Sequence, residues 1–353
     1  MNRTKEMMMK CLIPTEPDDK QAIVVKLALE NAGHQVTLMF TADQPTRQKN
    51  SVFVDLDAYR WQSTDRYQSI ADNDHDIVWW RRPRKPYVPK NLAHPEDFRF
   101  IVRENLLLHE SLLFNMAPNA WWINSEEAAR RANFKLLQLK TASECGITIP
   151  TTLCSNDPEE IRLFLLQHEH SGVIYKPLSN NFLPTKIPSP AKMTYIDLPQ
   201  NQSLQRAPSI FQKIIPKQYE LRVTCFGDYI VAAKLSPNQP LIVEPYVLPN
   251  DLTQQIRLFM RELGIVFGVF DFIVTPEHEY VFLELNEQGQ FLWIEELNPE
   301  FKMLDIFVNF LLNKSTDFQW EHRGAKHSIN LYRNKIEHVV MKNQSRHIGA
   351  EMM

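Results

Sequence analysis

Two apolar stretches constrain this chain more than any other feature: Phe270-Asp271-Phe272-Ile273-Val274 and Tyr280-Val281-Phe282-Leu283-Glu284-Leu285-Asn286. Both have the aromatic and branched content of buried strands, and the polar interval between them reads as a hairpin turning at Glu277-His278. In that register Asp271 stands directly opposite Glu284, with Cβ atoms about 4.5–5.5 Å apart. The period of two puts Asn286 on the face of Glu284. Like charges opposed in a sheet are destabilising unless something neutralises them. Two carboxylates and a carboxamide are hard oxygen donors that suit Mg²⁺, an ion that takes few protein ligands and a share of substrate phosphates. A solvated face with incidental acids is the plainer alternative, but Phe270, Phe282, Leu283 and Leu285 around them imply burial.

A metal of this kind suggests a polyphosphate, yet the glycine-rich phosphate loops are missing. The chain holds 9 glycines in 353 residues, well under the usual ~7%. It contains neither G-x-G-x-x-G nor G-x-x-x-x-G-K-[ST], which argues against Rossmann and P-loop readings. Lys+Arg 39 against Asp+Glu 42 leaves a net charge of −3, so no global basic field points to nucleic acid. A hydrophobic fraction of 44% and a charged fraction of 23% exclude a mostly disordered chain. Cys11, Cys145, Cys154 and Cys225 show no metal-ligand spacing and read as packed, reduced thiols. There is no signal-like h-region and no run of the ~20 apolar residues needed to span a bilayer. The expectation is a cytoplasmic protein without a membrane partner.

Along the chain, Lys10 to Ile13, Val36 to Phe40 and Ile77 to Trp80 read as strands. A helix capped by Asp18 or Asp19 runs to Asn31 and stops at Gly33. This gives an N-terminal α/β unit over residues 1–118. A second unit, 119–208, opens with the strand Trp121-Trp122-Ile123. A helix starts after Asn124 or Ser125 and continues through Phe134, Leu137 and Ala142. Asn156-Asp157-Pro158 is a strong helix start, and Val173 to Lys176 is a strand. Ser179 to Gln205 is polar, proline-dotted and reads as a long loop or hairpin excursion. A third unit, 209–320, carries strands at Ile210 to Ile214, Tyr219 to Phe226, Tyr229 to Leu235 and Leu241 to Tyr246. An amphipathic helix, Asp251 to Leu263, precedes the opening hairpin. Residues 321–353 form a mildly basic tail.

Cations to meet a polyphosphate are available. Lys135 lies in the helix after Ser125, and Lys176 closes the apolar strand Val173-Ile174-Tyr175-Lys176. Each alone is more often a surface snorkeller than a phosphate ligand, and it is their order relative to the acids that changes the reading. Arg81, Arg82, Arg84 and Lys85 form a basic run, read either as a solvated loop or as a patch for an acidic substrate.

The ordered set Lys135 … Lys176 … Phe211-Gln212-Lys213-Ile214-Ile215 … Glu220-Leu221-Arg222 … Asp271 … Glu284-Leu285-Asn286 resembles the ATP-grasp ligases. Trp79-Trp80-Arg81-Arg82-Pro83, Asn133-Phe134-Lys135-Leu136-Leu137-Gln138-Leu139, Ala207-Pro208-Ser209-Ile210-Phe211-Gln212, Tyr219-Glu220-Leu221-Arg222-Val223-Thr224 and Leu285-Asn286-Glu287-Gln288-Gly289-Gln290-Phe291-Leu292-Trp293-Ile294-Glu295 narrow the likeness. They resemble the ATP-grasp maturases of microviridin-type peptides, the graspetides. The resemblance implies an α/β (α+β) ATP-grasp fold behind an N-terminal pre-ATP-grasp domain, with ATP and Mg²⁺ as cofactors. It implies that Lys135 and Lys176 touch the α- and β-phosphates, that Gln212, Lys213, Ile214 and Ile215 form the adenine hinge, and that Glu220 holds the ribose. Arg222 would lie near the transferred phosphate, and Asp271, Glu284 and Asn286 would hold Mg²⁺. Three differences from the family pattern stand out. Ser179 to Gln205 has no glycine where a glycine-containing lid is usual. Asn286-Glu287 replaces Asn-Pro. Ser236-Pro237-Asn238-Gln239-Pro240 is short and lacks an Asp-Trp-Arg run.

The resemblance implies an ATP-dependent ligase that activates a carboxylate as an acyl phosphate and crosslinks a ribosomal precursor peptide, leader plus core. Arg81 and Arg82 are the candidate peptide contacts, and a homodimer is compatible with this reading. The alternatives are a ligase for free amino acids or short peptides, and a degenerate ATP-grasp binding module.

Overall fold

The computed structural model describes residues 7–71, 75–178, 191–193, 201–236, 241–322 and 324–349. The N-terminal part opens with β1 (Lys10–Pro14), α1 (Lys20–Asn31) and β2 (Gln35–Met39). Asp19 caps α1: its Oδ1 accepts from the N–H groups of Gln21 and Ala22 at 3.0 and 3.2 Å, which contributes about 1 kcal/mol. A polar meander follows, β3 (Gln48–Val54), β4 (Tyr59–Asp65) and β5 (Ser69–Ala71), forming its own antiparallel sheet. Then come β6 (Ile77–Trp79), α2 (Pro95–Asn115) and β7 (Trp121–Ile123). The main sheet is parallel, in the order β2-β1-β6-β7.

The central lobe differs from expectation at its first helix. The single helix expected after Ser125 is two: α3 (Glu126–Ala132) and α4 (Lys135–Glu144), broken at Asn133-Phe134. The break makes Lys135 the first residue of α4. Next come β8 (Thr152–Ser155), α5 (Pro158–Gln167), β9 (Val173–Pro177), β10 (Ala191–Met193), α6 (Asn201–Arg206) and β11 (Ser209–Lys213). The strands form an antiparallel sheet ordered β10-β9-β11-β8. The stretch expected as a long loop or hairpin excursion contains β10, which pairs antiparallel with β9, and most of the short helix α6; residues 179–190 and 194–200 lie outside the described residues.

The C-terminal lobe is a five-stranded antiparallel sheet. Its strands are β12 (Tyr219–Phe226), β13 (Tyr229–Ser236), β14 (Ile242–Tyr246), then, after α7 (Asn250–Leu263), β15 (Phe267–Val274) and β16 (Tyr280–Asn286). The order is β14-β13-β12-β15-β16. Gly227 sits in the β12–β13 turn at φ +60°, and a Cβ there would meet the Thr316 carbonyl oxygen at 2.3 Å, so only glycine fits. The short segment Ser236 to Pro240 lies largely outside the described residues. α8 (Leu292–Leu297), α9 (Met303–Asn313) and α10 (Arg333–Gln344) complete the chain.

Two cores hold this sheet. α3, α4 and α7 pack on one face over Leu221, Val223, Phe270, Phe272 and Phe282. One end of the other face, Phe226 and Phe267, joins Phe307 and Phe310 of α9 and the N-terminal residues Ile13, Leu38 and Trp79 in a second core. The basic tail returns to the N-terminal unit. His347 Nδ1 lies 2.6 Å from Asp43 Oδ2, and Asp43 Oδ1 accepts from Ile348 N–H at 2.7 Å, all buried.

Candidate active site

The hairpin forms with the register read from the sequence at its critical pair: Asp271 is opposite Glu284, and Asn286 is opposite Val269. Nearer the turn the pairing slips by one, Phe272 facing Phe282, so Leu283 bulges out of the ladder. The reversal is therefore longer than the two residues expected. It spans Thr275 to Glu279, with Thr275 N–H donating to the Glu279 carbonyl at 3.0 Å and His278 at φ 64°.

On β12, Arg222 is the direct neighbour of Asp271. Its Nη1 donates to both Asp271 carboxylate oxygens at 2.6 Å, and its Nη2 to the Gln290 carbonyl at 3.1 Å. Glu220, two residues along the same face, pairs with Lys217 at 2.6 Å. The face therefore runs from packed aromatics at one end to a charged strip at the other. Burial pushes the Asp271 carboxyl above its ordinary range; the Arg222 guanidinium opposes this, and Glu284 and Glu220 reinforce it. The donor set of Asp271, Glu284 and Asn286 is oxygen-rich and acidic, which fits a hard divalent cation.

The central lobe supplies the cations. Phe211 packs with Ile161, Phe164 and Leu165 of α5, so β11 turns Gln212 to the opposite face, where its neighbours across β9 place Lys176. Burial lowers the Lys176 pKa, Glu284 raises it, and Lys135 lowers it further. Lys176 is thus within electrostatic reach of both an acid of the other lobe and the N-terminus of α4. Gln212 donates to Thr152 Oγ1 at 3.0 Å, while its Oε1 is buried with no partner among the described residues. That orphaned acceptor fits an exocyclic amino group such as adenine carries. Lys213 and Ile214 N–H groups donate to the carbonyls of Thr151 and Gly172, both at 3.0 Å, which ties the hinge to its own lobe.

The basic run is divided by the structure. Arg81 is 0% exposed and forms an ion pair with Asp19 at 2.9 Å. Its Nη1 donates to the Gln288 carbonyl. Arg81 therefore ties α1 to the loop that follows β16, and is no part of an exposed patch. Arg82 is half-buried and borders a cavity of about 320 Å³ with Asp18, Lys20, Gln290, Trp293 and Glu296. Arg84 pairs with Glu16 at 2.7 Å. A larger cavity, about 860 Å³, lies away from these groups between the end of α1 and α9; size alone does not make it the site.

Sequence reasoning missed the polar splice beneath the acids. Gln138 of α4 donates to the Leu285 carbonyl at 2.9 Å and accepts from Leu285 N–H at 2.8 Å. Asn133 donates to Glu287 Oε1 at 2.6 Å, and Asn124 donates to the carbonyls of Phe267 and Glu287 at 2.9 and 3.2 Å. Burial pushes the Glu287 carboxyl up to about 7. The available signal was a lone glutamine inside the apolar run Leu136 to Leu139. Gly289 lets this loop close on β15, since a Cβ there would meet Val269 at 2.6 Å.

An antiparallel four-stranded lobe bearing Lys176, set against a five-stranded lobe bearing opposed acids, an arginine and, at the start of α4, Lys135, with an α/β domain in front, is the arrangement of an ATP-grasp ligase. No family model and no curated protein matches the sequence. Solved structures do. The chain is similar to the macrocyclase MdnC from Microcystis aeruginosa MRC, bound with precursor peptide MdnA: 29% identity, 86% of this chain and 100% of that one, TM-score 0.79. It is similar to the macrocyclase MdnB of the same organism, at 28% identity over 86% of this chain and 99% of that one, TM-score 0.74. A RiPP-associated ATP-grasp ligase from Chryseobacterium gregarium, in complex with ADP and a leader and core peptide, shares the fold. It has 24% identity over 89% of this chain and 100% of that one, with TM-score 0.77.

Proposed function

We propose that this chain uses ATP and Mg²⁺ to form side-chain ester or amide crosslinks in a ribosomally made precursor peptide. The observation that carries the reading is the charged strip Glu220, Arg222, Asp271 and Glu284, with Lys176 of the other lobe acting on Glu284. Lys135 and Lys176 would meet the α- and β-phosphates, Gln212 to Ile215 the adenine, and Glu220 the ribose. Asp271, Glu284 and Asn286 would hold Mg²⁺, which supplies charge neutralisation at the phosphates. The γ-phosphoryl group passes to a peptide carboxylate, and a hydroxyl or amine then displaces inorganic phosphate, leaving ADP and the new bond. Little covalent chemistry is asked of the protein. Arg222 stabilises charge on the moving phosphoryl group, and the lobes position the reactants.

The likeness to two macrocyclases and to a ligase bound to leader and core peptide supports a peptide substrate. Arg82, at the seam beside Gln290, is the remaining candidate of the basic run for contact with that peptide. Four free cysteines and the lack of any described helix able to cross a membrane support placement in the cytoplasm. The test is mass spectrometry after incubation with ATP, Mg²⁺ and the peptide encoded by a neighbouring short reading frame. Loss of one water per bond is expected. An unmodified peptide together with ADP release on adding a free amino acid would replace this reading with an amino-acid ligase. No ATP turnover with either would leave a binding module.

A further inference from the structure

Asp43, Asp65 and His347 come from three parts of the chain and meet at one point. Asp43 lies in the single turn after β2, Asp65 ends β4, and His347 follows α10. One oxygen of each carboxylate and one imidazole nitrogen lie within 4.8 Å of one another. Asp43 is 0% and His347 5% exposed, and Asp65 is half-buried. The backbone aims both acids: Asp43 Oδ1 accepts from Ile348 N–H at 2.7 Å, and Asp65 Oδ1 from Gln68 N–H at 2.8 Å. The Phe40 and Tyr67 rings lie 4.1 and 5.8 Å from the imidazole, centroid to centroid, and wall it in. Gln48 supplies an independent observation. It pairs directly opposite Asp65 across β3 and β4, on the same face, and is 2% exposed, yet its Oε1 has no partner. Asn50 and Ser63, the next pair along that face, each bury a further oxygen without a partner. Buried polar atoms are paired as a rule, so an orphaned acceptor calls for a ligand. Carboxylates cannot satisfy a carboxamide oxygen, because all of them accept; a cation satisfies the whole set.

We propose that Asp43, Asp65, His347 and the Gln48 carboxamide oxygen hold a structural Zn²⁺. The imidazole decides the metal: Mg²⁺ and Ca²⁺ take oxygen sets, whereas a set of one nitrogen and three oxygens, four ligands in all, suits zinc. The ion takes the place of the proton between His347 Nδ1 and Asp43 Oδ2, which lie 2.6 Å apart. Two ligands on a tetrahedral zinc stand about 3.3 Å apart at ordinary bond lengths, so this pair opens by about 0.7 Å. The ligands lie on the turn after β2, the β3–β4 ribbon and the segment after α10, none of which carries the Asp271–Glu284 acids. Asp43 and His347 are 304 positions apart in the chain, so zinc here staples the C-terminal segment to the first domain.

The test uses the full chain carrying Glu284→Gln, which weakens the active-site acids as a competing metal site, stripped with a chelator and titrated with Zn²⁺ in a calorimeter. One Zn²⁺ per chain is bound, and its addition raises the melting temperature. Asp65→Asn in this background weakens Zn²⁺ binding by about 100-fold or more and removes the zinc-dependent rise. The melting temperature of its metal-free form stays at the parental value, since the Asp43–His347 pair is untouched. Gln48→Met keeps the side-chain length, removes the orphaned oxygen and weakens Zn²⁺ binding by about 10- to 100-fold, with no loss of metal-free stability. Co²⁺ in place of Zn²⁺ gives the visible absorption of a four-coordinate site without a thiolate charge-transfer band, because no cysteine belongs to the set. That absorption is present with or without Glu284→Gln and disappears in Asp65→Asn. Absence of Zn²⁺ uptake by the Glu284→Gln chain overturns the proposal. So does an Asp65→Asn or Gln48→Met chain that binds Zn²⁺ as tightly as its parent. A Co²⁺ signal lost with Glu284→Gln and kept in Asp65→Asn also overturns it, by assigning the ion to the active-site acids.

Discussion

Lys176 and Glu284 belong to different lobes, so each tests a different half of the site. Glu284→Gln keeps the shape and removes one negative charge; ATP turnover should fall by at least roughly 10²–10³-fold while the circular dichroism spectrum is retained. Turnover at the parental rate would remove Glu284 from the metal set. If Lys176 meets a phosphate as proposed, Lys176→Met removes a charge-assisted contact worth about 1.5–3 kcal/mol, so ATP affinity measured by calorimetry should weaken about ten- to a hundred-fold. Unchanged affinity would make Lys176 a snorkelling strand-end residue. Arg81 tests structure instead of chemistry. Arg81→Met leaves the buried Asp19 carboxylate without its partner and should lower unfolding stability by about 3–5 kcal/mol. A denaturation midpoint equal to the parent's would contradict a buried tie. Arg81 also shows where reading a sequence fails. Four cations in five residues look solvated, and nothing local reveals that the first is neutralised by an acid 62 positions earlier in the chain.

At the scale of elements, what the sequence disclosed was what its neighbours in sequence determine. A cap for α1 at Asp18 or Asp19, which the structure gives to Asp19, and the Asp271–Glu284 register follow from local pattern. The bulge at Leu283 does not, because an apolar residue on either face leaves the alternation plausible. Nor does the break between α3 and α4, since Phe134 to Leu139 continues a helical pattern. The break is held from outside by Asn133 bonding Glu287 and Gln138 bonding Leu285. α2 was missed altogether, and it carries its own pH signature. Burial, with help from Lys85, lowers the His109 pKa from 6.5 to about 4. The neutral ring is favoured in the folded state, so its stability contribution is complete above the unfolded value of 6.5. It is lost as pH falls from there through about 4. That amounts to about 3 kcal/mol, and urea midpoints of a His109→Leu variant should lack this step between pH 6.5 and 4. An identical step in the variant would assign it to other groups.

For the whole molecule, the front domain and the acid-bearing lobe share one aromatic core. Trp79 packs on Phe307 with ring centroids 4.6 Å apart, and Phe307 also meets Phe226, Phe267 and Phe291. The two parts should therefore melt together. Phe307→Ala should destabilise that single transition by about 3–5 kcal/mol, and calorimetry that resolved a separate N-terminal transition would refute the shared core. The same packing sets a timetable during synthesis. Trp79 and Ile13 leave the ribosome more than two hundred residues ahead of the α9 side chains that cover them. At ~5–20 residues per second that is a wait on the order of 10–45 s. Throughout it that face of the parallel sheet has α1 packed on it but lacks the α9 aromatics, and the first domain made is among the last to be completed.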